Sequence, residues 1–285
     1  MTEFLTLREA VARFVNDGDT VVLEGFTHLI PYAAGHEIVR QGKKDLTLVR
    51  MTPDLIYDQL IGMGCGRKLV FSWGGNPGVG SLHRLRDAVE NGWPHRLEIE
   101  EHSHAAMANA YEAGAAGMPF AVFRGYLGTD YPRHNPNIRK VTCPFTGEEF
   151  AAVPAVRPDV AIIHAQRADR RGNVHISGIV GVQREAVLAA RRAIITVEEV
   201  VDNLDTAKAN SVVLPRFTIA AICEVPHGAH PSYAHGYYRR HNAFYRRWDE
   251  IARDRDGFRA WMSYFVVDTP DWSATWNRMK EHGYV

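Results

Sequence analysis

Apolar and polar positions along this chain switch regularly between a period near two and a period near 3.6. Thr6-Leu-Arg-Glu9 reads as a capping box, in which a hydroxyl and a carboxylate satisfy free amides at a helix start. Behind it Ala10, Val11, Phe14 and Val15 recur at helical spacing, and Gly18 stops the run. Thr20 to Glu24 is a β-branched run ending at Gly25-Phe-Thr-His28, and Pro31 opens a helix that carries Ala33, Ala34, Ile38 and Val39. The unit recurs: Leu46 to Arg50 predicts a strand before a helix from Pro53 to Met63. Lys68 to Ser72 predicts another before a glycine-rich loop and a helix from Leu82 to Glu90. Such alternation predicts an α/β protein with a parallel sheet and helices on both faces.

The second half continues the theme with interruptions. A polar strand from Arg96 to Glu100 leads through Glu101-His-Ser-His104 into an alanine-rich helix that stops at Gly114 or Gly117, and a strand follows at Phe120 to Phe123. Asp130 to Asn137, with Pro132 and Pro136, predicts a long irregular connection, and Thr146-Gly147 suits a hairpin turn between Val141 and Val156. Asp159 to His164 is the most apolar strand signal, as expected of a central parallel strand buried on both faces. A helix over 183–191 and a strand from Ala193 to Val197 complete the pattern. Beyond residue 240 the character changes, and Asn242 to Arg255 and Ser273 to Lys280 read as amphipathic helices rich in Arg, Trp and Tyr. The expected division is an α/β domain over 1–240 and a C-terminal helical extension over 241–285.

Composition narrows the partners. With 285 residues, 46% hydrophobic, and 33 basic against 33 acidic side chains, the chain has a sizeable core and no global attraction to nucleic acid or anionic lipid. Zero net charge favours association into oligomers. Cys65, Cys143 and Cys223 are odd in number and widely spaced, which fits reduced thiols; no apolar run is long enough to span a bilayer, and a cytoplasmic protein is expected.

In open α/β sheets ligands sit outside the carboxyl ends of the strands, so the loops after strands carry the candidate chemistry. Gly25, Phe26, Thr27 and His28 form one such loop, where free amides could face an oxyanion or a thioester carbonyl and where a plain tight turn is the structural alternative. Ser72 to Gly80, with Gly74, Gly75 and Asn76, is a second; it lacks the Lys-Ser/Thr pair of a P-loop, which argues against nucleotide hydrolysis. Glu100-Glu-His-Ser-His104 is a third. Glu100 or Glu101 could serve as a general base, but alternation along a strand sends the two to opposite faces. His-x-His could open a metal site, yet no third ligand stands at diagnostic spacing, and no metal is expected. His164 and Gln166 close a buried strand before Arg170-Arg-Gly-Asn173, and His164 suits a satisfied core histidine better than a base. No serine lies in a GxSxG elbow and no cysteine is paired with a sensible base, so no obvious nucleophile is visible in the sequence.

Taken together these segments resemble the A subunits of family I coenzyme A transferases, most closely that of glutaconate CoA-transferase. The resemblance rests on Asp19 to Phe26, Pro31-Tyr-Ala-Ala34, Glu37 to Gly42, Asp45-Leu-Thr47, Val160 to Gln166, Gly228-Ala-His-Pro-Ser232, Gly236-Tyr237 and Asn242-Ala-Phe244. Ala113 to Pro119 and Gly125-Tyr-Leu-Gly-Thr129 look like the family's AGxxGxP and GxGT-type elements. The resemblance implies a three-layer αβα subunit that pairs with a similarly folded B subunit in a hetero-oligomer such as A2B2. No bound cofactor is implied; the coenzyme A thioester is substrate. A B-subunit glutamate would attack it, and this chain would supply substrate and CoA contacts from Gly25, Phe26, Thr27, His28, Gly74, Gly75, Asn76, Ser103, Gly125, Gly128 and Gln166. CoA would pass to a small carboxylic acid, a 3-oxo acid or a glutaconate-like diacid. Similar A subunits occur in hydrolases that open steroid rings, where Glu100 or Glu101 would be the acidic residue. Related sheets also occur in non-catalytic sugar-phosphate-binding modules.

Overall fold

The computed structural model describes residues 2–77, 79–205 and 210–285. Gly78, inside the predicted glycine-rich loop, lies outside the described residues. The capping box forms: Glu9 N–H donates to Thr6 Oγ1 and Thr6 N–H to the Glu9 carboxylate, starting α1 (Leu7–Phe14) after the two-residue strand β1 (Glu3–Phe4). The alternation then runs as read, through β2 (Thr20–Glu24), α2 (Tyr32–Arg40), β3 (Leu46–Val49), α3 (Leu55–Gly62), β4 (Gly66–Phe71), α4 (His83–Glu90), β5 (Glu98–Glu101) and α5 (His104–Ala115).

The strand at β6 (Phe120–Phe123) does not join that sheet. It pairs antiparallel with β8 (Glu149–Pro154), which pairs with β7 (Arg139–Thr142) across the predicted hairpin turn, and this small sheet packs on α5. The irregular connection before it holds one short turn of helix, α6 (Tyr131–His134).

Then come β9 (Val160–Asp169), β10 (Val174–Ser177), α7 (Gln183–Ala189), β11 (Arg192–Val201), β12 (Ser211–Leu214) and β13 (Ala221–Glu224). The main sheet runs β1-β13-β11-β9-β2-β3-β4-β5, parallel throughout, with β10 and β12 added antiparallel beside β9. Two strands are longer than their apolar cores predict: β9 passes His164 to Asp169, and β11 passes Val197 to Val201. Their distal halves pair with each other, and that of β9 also with β10, which supplies the backbone partners that hydrophobicity alone does not reveal.

Strand alternation sends Val21, Leu23, Leu48, Leu69 and Ile162 toward α1 to α4, and Val22, Val49 and Ala161 toward Met107, Tyr111 of α5 and Ala186 of α7. These are the three layers. The segment after residue 240 contains three helices rather than two: α8 (Asn242–Arg253), α9 (Arg255–Met262) continued by a π-turn over Ser263–Val267, and α10 (Trp272–Glu281). Phe244, Trp248, Phe258 and Trp261 are buried in the same apolar cluster as Leu55 and Leu60 of α3. Asp254 explains the break between α8 and α9, because its carboxylate accepts the Gly257 N–H and caps a new helix.

Candidate active site at a stepped sheet edge

The carboxyl edge of the sheet is a step. Glu24 at the end of β2 pairs with Ile163 of β9, and β9 runs on to Asp169, roughly 20 Å further at about 3.3 Å per residue. The ends of β2 to β5 therefore form a floor, and β9 to β12 form a wall beside it. Phe26 and Trp73, 36% and 47% exposed, stand on the floor loops.

Buried charge shapes that floor. Glu24 and Arg50 end β2 and follow β3, and both are buried. Glu24 Oε1 accepts from Met51 N–H (2.9 Å) and Tyr111 Oη–H (3.0 Å), and Oε2 from Gly25 N–H (3.1 Å). Arg50 donates to Asp54 Oδ1 (2.8 Å) and to the Gly25 carbonyl (2.7 Å). Burial pushes the Glu24 carboxyl up, opposed by the Arg50 charge; burial also works against the Arg50 cation, but Asp54 and Glu24 outweigh it and its proton is held more tightly than usual. The next links are backbone: Ser72 Oγ and Trp73 N–H both donate to Met51 O, and His102 N–H to Phe71 O. The ends of β2, β3, β4 and β5 are thus tied in series.

The candidate residues fall into three groups on this edge. In the first, Gly25 has no room for a side chain: a Cβ would lie 2.8 Å from His28 O and Leu29 O. Thr27 and Leu29 hold positive φ angles of 58° and 52°, a conformation uncommon for side chains like theirs. His28 is buried, its Nδ1 at 3.1 Å from Ile179 O and its Nε2 accepting the His235 N–H at 2.9 Å. Burial lowers its pKa to about 4, so it is a neutral strut between floor and wall. Gln166 is a wall strut as well, donating to Ser177 O and His235 O and accepting from Ser177 N–H. These partners border a cavity of ≈ 550 Å³ that also takes in Arg167, Gly178 and Tyr237.

In the second group Gly74, Gly75 and Asn76 follow β4. Gly75 N–H donates to Pro53 O, and Asn76 Nδ2 donates to Tyr245 O, which ties the loop to α8. A Cβ on Gly74 would meet Leu85, so close packing accounts for that glycine.

The third group gathers at the outer strand. Ser103 caps α5 and donates its N–H to Tyr126 Oη, which lies between Gly125 and Gly128; both glycines are exposed. Glu100 accepts from His102 Nε2 (2.9 Å) and Lys68 Nζ (2.8 Å). Burial alone raises its pKa, but the bonds from His102, Lys68 and Asn137 outweigh that and hold it at about 2, which makes Glu100 a poor general base. Glu101 is exposed and accepts from Tyr131 Oη at 3.3 Å, beside a ≈ 570 Å³ cavity that Glu100 and Ile99 also line. Among the described residues no group of three or more His, Cys, Asp or Glu is placed to hold a metal, and no helix is long and apolar enough to cross a membrane.

Two groups were not singled out by the sequence. Arg50 reads there only as the end of a strand, although a charge closing an apolar run is the available signal. His164 is fully buried between Thr196 Oγ1 (2.8 Å) and Glu198 Oε1 (2.6 Å), as a satisfied core histidine should be; what was unseen is Tyr238, whose hydroxyl donates to the same carboxylate.

A three-layer sheet of this topology, with its strand-end loops braced from beneath, defines a class. Residues 4–225 match the family Coenzyme A transferase, and the chain belongs to that family as an A subunit. It is 69% identical over 273 residues to the A subunit of 3-oxoadipate CoA-transferase from Pseudomonas knackmussii, covering 96% of each chain. Glutaconate coenzyme A-transferase of Acidaminococcus fermentans, solved by crystallography, superposes with a TM-score of 0.90 at 30% identity over 97% of this chain and 92% of that one. The decarboxylase AibA/AibB superposes with a TM-score of 0.81, also at 30% identity, over 92% and 98%. The glutaconate enzyme is thus the more distant of the two named transferases. At 30% identity the scaffold is held in common by a transferase and a decarboxylase.

Proposed function

We propose that this chain lines the cleft of a transferase that moves CoA from an acyl-CoA to 3-oxoadipate, a 3-oxo dicarboxylic acid, in an assembly with a B subunit such as A2B2. The observation that carries this is the 69% identity along 96% of both chains, which leaves little of the cleft unmatched. The family's acyl-CoA substrate and the absence of a candidate nucleophile in this sequence support the division of labour. A B-subunit glutamate attacks the thioester carbonyl, the C–S bond breaks to expel CoA as thiolate and give an acyl-glutamyl anhydride, and thiolate attack on the glutamyl carbonyl of that anhydride releases the donor acid and leaves a glutamyl-CoA thioester. The acceptor carboxylate reverses the sequence. Each attack places negative charge on a carbonyl oxygen. The Phe26 amide, on the floor loop, is the proposed donor to that oxygen. Gly74, Gly75, Ser103, Gly125 and Gly128 are proposed to border the CoA path, with His28, Gln166 and Asn76 acting as struts for it.

Purified A and B chains should together transfer labelled CoA to 3-oxoadipate faster than to glutaconate, and borohydride should inactivate the complex only after exposure to acyl-CoA. Transfer to glutaconate at an equal or greater rate overturns the substrate assignment. An absence of exchange with every acid, with the complex insensitive to borohydride, overturns the transferase reading for this pair.

A further inference from the structure

We infer that Arg50 is a positioning residue for CoA transfer, acting by fixing the plane of the Gly25–Phe26 peptide so that the Phe26 N–H faces the cleft. This deepens the reading above and rests on it. The Gly25 carbonyl points inward to Arg50 Nη2 at 2.7 Å. The Gly25–Phe26 bond is not among the cis peptides, and across a trans peptide the N–H points opposite to the C=O, so the Phe26 N–H points away from Arg50. No hydrogen bond to that N–H is made by any described residue. Gly181 stands near it, where a Cβ would lie 2.9 Å from Phe26 Cβ and 4.0 Å from Phe26 N, so a glycine there keeps side-chain bulk off this peptide.

The peptide is clamped on both sides. Glu24 Oε2 takes the Gly25 N–H, and Arg50 takes the Gly25 C=O. Arg50 is itself held by Asp54, and its guanidinium lies 5.5 Å from the centre of the Tyr57 ring, whose hydroxyl donates to Val49 O. None of these groups is exposed, so none can touch substrate; their bonds end on the loop backbone. A donor held rigidly before charge develops stabilises a transition state more than a ground state, so loosening it lowers kcat and leaves KM nearly unchanged.

The test uses the A–B complex, with rates normalised to active sites counted by borohydride trapping, so that a loss of folded protein is removed from the comparison. Arg50→Lys keeps the charge but cannot reach Asp54 and Gly25 O together. We expect kcat per site to fall about tenfold or more, toward the 10²–10³ loss typical of an oxyanion donor, with KM for acyl-CoA within about twofold. An unchanged kcat per site, or a loss confined to KM, overturns the inference. Should that variant fail to assemble, Glu24→Gln, which releases the other side of the clamp without emptying the space, carries the same two outcomes. Phe26→Pro deletes the N–H itself. If it lowers kcat while the clamp variants do not, the amide stands and the role of Arg50 falls; if it has no effect, the amide falls too.

Discussion

On one side of the sheet's centre β2 to β5 span four to six residues each, and on the other β9 and β11 span ten. Each half buries a charge network near the carboxyl ends of its strands. In the long half Glu198 gathers His164, Tyr238 and the His227 N–H, and the network holds the segment after β13 down on the sheet. In the short half Glu24 and Arg50 end on the N–H and C=O of Gly25, in a loop with positive φ angles and an amide without a partner. The difference teaches where precision is needed. One network fastens a wall, and the other sets the direction of a single peptide.

That contrast can be broken at several points. Arg50→Met leaves Glu24 and Asp54 buried without a counter-charge, and should cost about 3–5 kcal/mol in urea unfolding; a loss under 1 kcal/mol would show that the floor does not depend on the Arg50 charge. Gly25→Ala forces backbone apart at His28 and Leu29 and should cost about 1–3 kcal/mol while lowering kcat per site. Full activity per site would mean that the loop direction does not matter. Tyr238→Phe removes a bond to Glu198 and leaves the Ala229 N–H without its acceptor. It should cost about 1–2 kcal/mol in the same unfolding assay and leave kcat per site unchanged, and a drop in kcat would erase the distinction between wall and floor.

The smallest effect is expected at the outer strand. The Glu100 carboxyl is held at about 2 against its ordinary 4.5, so its contribution to stability is present above pH 4.5 and is lost as pH falls through 2. Lys68→Gln should bring that pKa up, making the variant slightly less stable than the parent at pH 7, with the gap closing as pH falls below 4.5. Thermal melts across that range would show it. A gap that is constant with pH would separate Lys68 from Glu100 titration.

The layers were legible because strand and helix periods alternate cleanly from Thr6 to Glu90, and each helix has its stop or cap in the local residues. The strands β10, β12 and β13 were not. They are four residues long; β10 turns back on the polar tail of β9, which itself carries no apolar signal, and β12 pairs with β10 from a distant segment, so neither shows a local hydrophobic pattern long enough to read. The long tails of β9 and β11 were missed for a related reason, since Arg167, Asp169 and Glu199 are polar and their ladder is not written in hydrophobicity. At the candidate site the sequence pointed to the loops after strands, and it could not separate side chains free to face the sheet edge from those bonded into it. His28, Asn76 and Gln166 have the donors and acceptors of ligand contacts, and burial directs them to the protein's own backbone.

The bond from Asn76 to Tyr245 O has a companion: Arg240 donates to Pro77 O. Through these two anchors the glycine-rich floor loop is moored to the start of the C-terminal helices, whose Trp248 and Trp261 sit in the core beneath. Trimming the chain before Arg240 would therefore do more than shorten it: the loop after Trp73 would lose both anchors, and damage at the carboxyl terminus would be felt at the carboxyl edge of the sheet.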